Sequence, residues 1–479
     1  MVINFLKLTE TPKKELFLFQ RLIIKDYFKD DLQCKMIQMV RLSFLGAINE
    51  VGSSGVLVES GKKRIVIDYG TNIQNVPPTF PHAVKGKVDA AFLSHPHLDH
   101  SGGLPVIAKS SYCPIYALPV SKPLVQMLLN DSLKISRSES VPLPYNRADV
   151  DKTIKQFKGV EYRKPIIVGS TSAIAYDAGH IPGSMMTLLH MGNRGKGGKG
   201  SKGSGTKSGR NDNESKTLLY TSDFNTNDTR LVRGADTDLP EIDVLITEST
   251  YSDRDHKDRE AEEKRLIKSI NATLANDGTA IVSNFAISRT QEVLLILDEY
   301  GIDYPLYMDG MAKKATTVIN SYTQSLLDPT SLDRALRKLQ YLANQQQRKR
   351  ALKNPCVILT TSGMLNGGPV VWYLKKLHKD PRNMLVLTGF QVPGTPGHEL
   401  LESGRFIHEG SDLKLKMRFE RLDFSSHLGR KELFAFIEQI NPKKTFCVHG
   451  DDTPKFAGEL CDKGFDAIAP VESNRTFDL

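Results

Sequence analysis

Short apolar runs bounded by turn residues fill the first half of the chain and predict β-strands. The runs at 55–59 and 64–68 flank the turn-like segment 60–63, so the three together predict a hairpin. Further strands are predicted at 41–46, 88–93, 173–177, 185–190, 217–220 and 244–247. A strand-rich region with helices outside it favours a sandwich of two sheets covered by helices.

The pattern changes after residue 251, where apolar strands alternate with amphipathic helices. In the charged segment 254–276, Leu266, Ile270 and Leu274 recur at helical spacing. Beyond it, strands are predicted at 279–283, 305–308, 356–360 and 384–388, and helices at 288–300 and 311–322. This alternation predicts a parallel α/β sheet.

The pattern changes again near residue 418, before a predicted helix at 434–440 and a strand at 445–448. We therefore expect the α/β block to be inserted into the first domain, which resumes at the C-terminus. The predicted division is an N-terminal extension (1–39), a first part of the sandwich domain (40–252), an inserted domain (253–424) and a second part of the sandwich domain (425–479).

Residues 192–216 are rich in Gly, Ser and Lys and contain no apolar anchor, which predicts a disordered loop between two strands. Seven basic and two acidic residues within 193–216 account for +5 of the chain's formal charge of +9. The loop is either a tolerated surface insertion or a basic arm that lies near nucleic acid. The rest of the chain is only mildly basic, so its charge suits a polyanionic partner without proving one.

Composition narrows the class of protein. Hydrophobic residues make up 39% and charged residues 25% of the 479 residues, which is ordinary for a globular protein. We find neither an apolar stretch near the ~20 residues of a membrane helix nor a clear signal pattern, and the five cysteines form no C-x-x-C pair. We therefore expect a cytoplasmic protein with reduced thiols and no membrane association.

One tight turn, at 92–103, carries His95, His97, Asp99 and His100. Imidazole nitrogens and carboxylate oxygens are ligands for borderline divalent ions, with zinc as the default. His95 and His97 alternate in one direction and the other two residues lie past the bend, so two adjacent ions fit better than one tetrahedral ion. Two-metal sites are typical of hydrolases, often of those that act on phosphate esters.

A two-metal site needs further ligands, and four polar residues directly follow apolar strands. They are Asp68, His180, Asp223 and His449. A single aspartate at a strand end is more often a turn former than a ligand. Because the same geometry recurs four times, we expect these side chains to converge at one sheet edge with the His-rich turn.

These motifs, in this order, resemble the metallo-β-lactamase superfamily and specifically its β-CASP nucleases, the archaeal relatives of the cleavage and polyadenylation specificity factor endonuclease and of ribonuclease J. The resemblance covers residues 40–479, and the phrases at 178–184 and 361–369 are similar to the polyadenylation-factor branch. It implies the α/β fold class: a metallo-β-lactamase αββα sandwich with an inserted parallel α/β (β-CASP) domain.

The resemblance implies seven ligands for two zinc ions. They are His95, His97 and His180 for one ion, Asp99, His100 and His449 for the other, and Asp223 bridging both. Asp99 is counted among the catalytic groups as well.

Other residues have implied roles around the metals. Asp68 would orient the ligand turn rather than bind metal, and Ser362 and Gly363 lie in a loop similar to a phosphate-contacting loop of the family. Glu248 and His427 match the family's acidic motif and its partner at the two ends of the insert. Glu248 would raise the pKa of His427, which would protonate the leaving 3′ oxygen as general acid.

Two positions depart from the family pattern. Pro96 stands where small residues are usual, and Gly429 stands where Asp commonly follows His427 by two positions. The second departure bears on how His427 is anchored and not on the metal site.

The resulting hypothesis is a zinc-dependent ribonuclease that cleaves RNA phosphodiesters by two-metal hydroxide attack and leaves 5′-phosphate and 3′-hydroxyl ends. It would be an endonuclease with 5′-to-3′ exonuclease action, working in RNA processing, 3′-end formation or decay. RNA is favoured over DNA because the last motif has His449, where related DNA enzymes typically have an apolar residue. The expected partners are single-stranded RNA, a second copy in a homodimer, and RNA-processing or transcription-termination complexes.

The alternative is a small-molecule hydrolase of thioesters or lactones on the same core. Such enzymes need the His-rich turn but not a large insert that carries Glu248 and His427. A non-catalytic RNA-binding subunit is a third hypothesis, but such relatives lose ligands and this chain keeps them all.

Overall fold

A computed structural model describes residues 40–192 and 215–479 of the chain. The expectations for the extension 1–39 and for nearly all of the loop 192–216 concern residues outside this described part. At the loop's end, Lys216 already belongs to a strand. The described residues form two stacked seven-stranded sheets, a separate six-stranded sheet and a two-stranded hairpin.

The first sheet has the strand order β22-β1-β2-β3-β4-β5-β6. Its strands are β1 (Val40–Phe44), β2 (Gly55–Ser60), β3 (Lys63–Tyr69), β4 (Ala90–Phe92), β5 (Ile115–Ala117), β6 (Phe157–Gly159) and, from the chain's end, β22 (Thr476–Asp478). The predicted hairpin is β2–β3, in which Ser60 pairs with Lys63. The two-residue turn needs a left-handed residue, and Gly61 supplies it with a φ of 58°.

The second sheet has the order β21-β20-β11-β10-β9-β8-β7. Its strands are β7 (Pro165–Val168), β8 (Thr171–Asp177), β9 (Met185–Met191), β10 (Lys216–Tyr220), β11 (Val244–Glu248), β20 (Lys444–Val448) and β21 (Ala467–Ile468). Strand β11 pairs in parallel with β20, which follows it by about two hundred residues. The chain therefore leaves this sheet after β11 and returns to it through β20.

The two sheets bury an apolar layer between them, represented by Val58, Ile67, Leu218 and Ile246. Each fully buried side chain of this kind contributes about 1.5–3 kcal/mol. Helices cover both outer faces. They are α1 (Leu98–Ser101), α2 (Leu104–Ser110), α3 (Ser121–Glu139) and α4 (Arg147–Lys155) beside the first sheet, and α12 (Arg430–Ile440) and α13 (Thr453–Asp462) beside the second. The expected αββα sandwich is confirmed.

The third sheet lies between β11 and β20 in the chain, and all its strands are parallel. It has the order β14-β13-β15-β12-β16-β19, with β12 (Thr279–Ser283), β13 (Leu306–Met308), β14 (Leu339–Tyr341), β15 (Cys356–Thr360), β16 (Met384–Leu387) and β19 (Arg418–Arg421). The hairpin is β17 (Arg405–His408) with β18 (Ser411–Lys414). The predicted inserted parallel α/β unit is confirmed.

Helices flank this parallel sheet on both faces. They are α5 (Arg259–Leu274), α6 (Arg289–Tyr300), α7 (Ala312–Asn320) and α8 (Ser331–Leu336), then α9 (Gln345–Ala351), α10 (Pro369–Leu377) and α11 (Pro396–Ser403), with a short 3-10 helix at Thr323–Ser325. The first face shares a core with the sandwich, because Leu124 and Met127 of α3 belong to the same apolar cluster as Ala315 and Ile319 of α7. The two units are thus packed directly against each other.

The segment 254–276 differs from its prediction at its start. The helix begins at Arg259, because Asp258 caps it by accepting the Ala261 N–H. Residues 254–255 instead bond to the start of α12, where the Arg430 N–H donates to the Arg254 carbonyl at 2.9 Å. Among the helices in the two described ranges, none has the length and apolar character needed to cross a membrane.

Candidate metal centre

Polar side chains follow the carboxyl ends of several strands of the sandwich at one edge. Strands β3 and β4 run parallel in the first sheet, and β10, β11 and β20 run parallel in the second. Residues at or just beyond these ends are Asp68 (β3), His95 (β4), His180 (β8), Asp223 (β10), Glu248 (β11) and His449 (β20). The structure brings these residues together with the turn 92–103, as expected from the strand pattern.

Three residues of this edge have left-handed backbone conformations. The φ values are 55° for Asp68, 56° for Ser222 and 53° for His449. Residues other than glycine adopt this region uncommonly, and each such residue costs roughly 1–3 kcal/mol. These three residues adopt this conformation where the strands turn their polar side chains toward one point.

The first potential ligand group contains His95, His97, His180 and Asp223. The His97 Nδ1 atom lies 3.1 Å from His95 Nε2 and 3.3 Å from His180 Nε2. The Asp223 Oδ2 atom lies 3.6 Å from His95 Nε2 and 3.7 Å from His180 Nε2. Four donor atoms thus surround one point.

Burial lowers the pKa of His95, His97 and His180, in part reinforced by neighbouring histidines. The rings are therefore neutral near pH 7, which is the form that binds metal. Their nitrogens face one another at 3.1–3.3 Å. At these distances the nitrogens can share a proton in an N–H···N bond or, when none of them is protonated, a metal cation.

The second potential group contains Asp99, His100, Asp223 and His449. The Asp99 Oδ2 atom lies 3.8 Å from His100 Nε2 and 3.6 Å from His449 Nε2. The Asp223 Oδ1 atom lies 3.3 Å from His100 Nε2 and 3.5 Å from His449 Nδ1. Asp223 belongs to both groups and directs one carboxylate oxygen toward each.

The carboxylates set the charge of this second group. Burial alone would lower the pKa of His100, but Asp223, Asp99 and Asp68 outweigh it and raise that pKa well above its usual range. Burial would raise the pKa of Asp223, but the surrounding histidines hold it well below its usual range. Asp223 is therefore a buried anion that needs positive charge around it.

Three buried atoms of this group test whether a metal fits. The Asp223 Oδ1 atom and both ring nitrogens of His449 have no hydrogen-bond partner among the described residues. An unsatisfied buried polar atom costs about 1–3 kcal/mol. Since the Asp223 oxygen and one ring nitrogen of a neutral His449 can each bind a divalent ion, the donor set fits metal binding.

Asp68 is buried and belongs to neither group of donor atoms, but it contacts the far side of the His100 ring. Its carboxylate accepts the Ser94 N–H and hydroxyl at 2.7 Å each and the Tyr220 hydroxyl at 3.0 Å, and it bonds His100 Nδ1 at 2.7 Å. His100 is thereby left with Nε2 toward the centre. This geometry suits orientation of the ligand turn from behind.

The third cluster joins Glu248 to His427. The two Glu248 oxygens lie 2.9 and 2.8 Å from His427 Nδ1, and His427 Nε2 lies 4.0 Å from Asp223 Oδ2. Glu248 also accepts the Phe224 N–H at 2.9 Å, beside Asp223. Burial would lower the pKa of His427, but Glu248 and Asp223 raise it to about 9.

His427 is anchored without an aspartate at position 429. Its N–H donates to the Ser425 hydroxyl at 3.1 Å, and Tyr251 contacts its ring edge-on with the centroids 5.8 Å apart. A Cβ atom at Gly429 would lie 3.1 Å from the backbone nitrogen of His256. The glycine therefore allows close approach of the segment that begins the insert.

The cluster is open on one side. His97, Asp99 and His427 are partly exposed, whereas the other residues of the three groups are buried. A substrate would therefore reach the centre past these three side chains, beside the inserted domain.

Ser362 and Gly363 do not join the metal ligands. They follow β15 at the carboxyl edge of the parallel sheet, where the Ser283 hydroxyl donates to the Ser362 carbonyl at 2.7 Å. Gly363 is buried, and its carbonyl accepts the Gln391 side-chain amide at 3.0 Å. The two predicted RNA-contacting residues thus belong to a second polar edge.

Two residues of the site were missed in the sequence. Tyr220 belongs to a run that the sequence pattern predicts as an apolar strand, although its hydroxyl donates a hydrogen bond to Asp68. Arg289 begins α6, just past the end of β12, and its Nη2 lies 3.4 Å from the Ser426 hydroxyl, next to His427. Its Nε atom has no partner among the described residues. Because Arg289 stands six residues beyond the end of β12, the rule that selects polar residues directly after a strand does not identify it.

Three family descriptions match successive parts of the chain. They are the metallo-beta-lactamase superfamily over residues 48–174, the Beta-Casp domain over 290–400 and the Zn-dependent metallo-hydrolase RNA specificity domain over 412–470. A crystal structure of a protein of unknown function from Enterococcus faecalis V583 is similar in fold alone, with a TM-score of 0.52 and 14% identity over 92% of this chain and 100% of that one.

Named relatives cover most of the chain. It is 35% identical over 442 residues to the probable RNase MJ4 of Methanocaldococcus jannaschii, which covers 90% of this chain and 98% of that protein. It is 33% identical over 414 residues to RNase aCSPSF2 of Saccharolobus solfataricus, covering 85% and 79%. It is 31% identical over 458 residues to the transcription termination factor FttA of Pyrococcus abyssi, covering 86% and 67%.

Proposed function

We propose a specific reaction for this chain, which belongs to the β-CASP ribonucleases of the metallo-β-lactamase superfamily, a family of metal-dependent RNA hydrolases. In this proposal the chain cleaves single-stranded RNA at a two-zinc centre and leaves 5′-phosphate and 3′-hydroxyl ends. One observation carries this proposal. Three clusters of ligand-type side chains share Asp223, and one of them contains the Glu248–His427 pair.

Seven residues would hold the two ions. They are His95, His97 and His180 for one, Asp99, His100 and His449 for the other, and Asp223 between them. Imidazole and carboxylate ligands favour zinc, and when bound the two ions would supply hydroxide near neutral pH and neutralise charge that develops on the phosphoryl oxygens. Asp68 would fix the ring of His100 from behind.

His427 is the proposed general acid. Glu248 occupies its Nδ1, so Nε2 is the atom that faces the centre and carries the transferable proton. In the protonated state it would donate that proton to the leaving 3′ oxygen of the RNA. Glu248 would favour this state by its charge, and its bond to the Phe224 N–H keeps it next to the Asp223 loop.

The RNA backbone would pass between the metal centre and the inserted domain. Arg289 supports this route, since within the described residues it has no carboxylate partner within ion-pair distance and it lies beside Ser426. A guanidinium of this kind suits a phosphate. Ser362 and Gly363 would contribute from the loop after β15.

Finer aspects remain part of the same proposal. We infer endonucleolytic cleavage with 5′-to-3′ exonuclease action, a homodimer, work in RNA-processing or transcription-termination complexes, and a cytoplasmic location. We also propose the domain division 40–252, 253–424 and 425–479. The name of the FttA relative, a transcription termination factor, is what supports a role in termination.

Cleavage of labelled RNA by the full-length chain tests the proposal. The substrates are a 5′-labelled single-stranded RNA, DNA of the same sequence and small thioester and lactone substrates, each with and without chelator. We expect RNA cleavage that the chelator abolishes and zinc restores, with products that carry 5′-phosphate and 3′-hydroxyl ends. Chelator-resistant cleavage, or hydrolysis of the small substrates alone, would contradict it.

A further inference from the structure

Phe285 is an aromatic side chain on the surface of the inserted domain, two residues beyond β12. It is 37% exposed. Single exposed apolar side chains are common and require no explanation by themselves. The surroundings of this ring are what make it informative.

The ring lies on two glycines from neighbouring loops. A Cβ atom at Gly363 would lie 3.3 Å from Phe285 Cδ1, and one at Gly389 would lie 3.1 Å from Phe285 Cε2. Any side chain at either position would crowd the ring. The two loops thus hold the ring at opposite corners, which we call the seat of Phe285, while 37% of the residue stays exposed.

The seat is held in place by hydrogen bonds. The Gln391 side-chain amide donates to the carbonyls of Gly363 and Gly389, at 3.0 and 3.2 Å. The Phe285 carbonyl accepts the Thr290 hydroxyl at 2.7 Å. An aromatic ring fixed in this way loses little conformational entropy when another planar group packs on it.

Two sets of contacts lie between the loops that hold this ring and the proposed general acid, His427. In the first, Arg289 lies four residues further on and contacts Ser426, the neighbour of His427. The second runs through rings and one cation. The Arg254 guanidinium carbon lies 5.3 Å from the ring centroid of Phe390, which follows Gly389, and 4.7 Å from the ring centroid of Tyr251. The ring centroids of Tyr251 and His427 are 5.8 Å apart.

We propose that Phe285 is a stacking platform for one base of the bound RNA, which positions the strand for cleavage at the metal centre. The inference rests on the proposed ribonuclease function. A base is the fitting occupant because it is planar, its phosphate would lie near Arg289, and the ring offers a π-face without a hydrogen-bonding code. Such a platform accepts any base.

Replacement of the ring tests the platform. Phe285→Ala and Phe285→Leu should each raise KM for a short single-stranded RNA by about 5- to 100-fold and leave kcat within about threefold. Phe285→Tyr, which keeps the ring, should behave like the wild-type protein. The matched control is Tyr112→Ala, at an aromatic residue that is 61% exposed and remote from these loops.

An abasic scan identifies the stacked base. In the wild-type protein, removal of one particular base from the RNA should raise KM by a similar factor. In Phe285→Ala the same removal should have no further effect, because the partner ring is already absent. Equal sensitivity to that removal in both proteins, or an unchanged KM for Phe285→Ala, would overturn the platform while leaving the ribonuclease proposal intact.

A binding measurement works without cleavage. In a His427→Ala background, a Phe285→Trp variant should show fluorescence quenching when a single-stranded RNA oligomer binds, and Tyr112→Trp should not. Quenching at Tyr112→Trp alone would overturn the platform. Metal content and thermal unfolding equal to those of the parent would exclude misfolding as the cause of a changed KM.

Discussion

The carboxyl edge of the sandwich and the carboxyl edge of the inserted sheet place polar residues by the same rule, yet they carry different chemistry. At the sandwich edge the side chains are carboxylates and imidazoles, most of them buried and grouped around Asp223. At the inserted edge they are a hydroxyl, glycines and an aromatic ring, with Ser362 and Phe285 accessible. The first edge suits bond breaking, and the second suits holding a polymer.

The two edges also differ in how the backbone is fixed. At the sandwich edge, left-handed residues such as Asp68 and His449 are held by the paired sheets around them. At the inserted edge, Gln391 and the two glycines beneath Phe285 fix the loops. Substitutions at the first edge should therefore change metal content or kcat, and those at the second should change KM.

The largest effect is expected at the residue shared by all three clusters. Asp223→Ala removes a carboxylate oxygen from each metal position, so bound metal should fall and cleavage should drop by about 10⁴-fold or more. Metal analysis by mass spectrometry, together with the cleavage rate, measures both. The control is Asp238→Ala, at a carboxylate that is 95% exposed. Full metal occupancy in Asp223→Ala would contradict the proposal that Asp223 bridges the two ions.

His427→Ala should separate chemistry from metal binding within the same edge. The expected loss is about 10²- to 10⁴-fold in kcat, with both metals retained, because we propose that His427 protonates the leaving oxygen and does not bind metal. Single-turnover cleavage and metal analysis give the two readouts. His82→Ala, at an exposed histidine, is the control. Loss of metal equal to that in Asp223→Ala would count against a general acid.

Glu248→Gln should move the pH profile. The charge of Glu248 helps to raise the pKa of His427 to about 9. If His427 acts as the proposed acid in its protonated form, activity should fall as the pH rises through that pKa. Without the charge the pKa falls, and the alkaline limb should move to lower pH by about one to three units. The measurement is kcat against pH for both proteins. An alkaline limb at the same pH in both proteins would show that Glu248 does not raise the pKa of the general acid.

The smallest effect is expected at the inserted edge. Ser362→Ala should raise KM for RNA by about 3- to 10-fold at constant kcat, since the proposed hydrogen bond to a phosphate would be lost and Ser362 lies outside the metal ligands. Steady-state kinetics on a short RNA measures it, with Ser403→Ala, on the exposed end of α11, as the control. A fall in kcat without a change in KM would contradict the proposal that the inserted edge binds RNA and the sandwich edge carries out the chemistry.

Many residues of the sandwich edge, and the strands that carry them, could be predicted from the sequence. The turn with His95 and His97 is local, and the strand-end rule found His180, Asp223 and His449 across hundreds of residues, because apolar strands and their ends are visible as patterns. The sheets, and the return of the chain to β20, followed from the same patterns.

The rest depends on tertiary contacts that no local pattern encodes. Tyr220 looks like any apolar strand residue until its hydroxyl meets Asp68. The helix start at Arg259 is set by Asp258 and by the bonds of the preceding residues to α12. The support of Phe285 by two glycines requires three strands to end side by side.

A zinc titration of metal-free, full-length protein, with bound zinc and RNA cleavage measured on the same samples, tests the proposed two-zinc centre directly. We expect two zinc ions per chain, with cleavage that rises mainly as the second is bound, because Asp223 directs one oxygen to each position. Full cleavage with one zinc ion per chain, or cleavage in its absence, would contradict a two-metal centre.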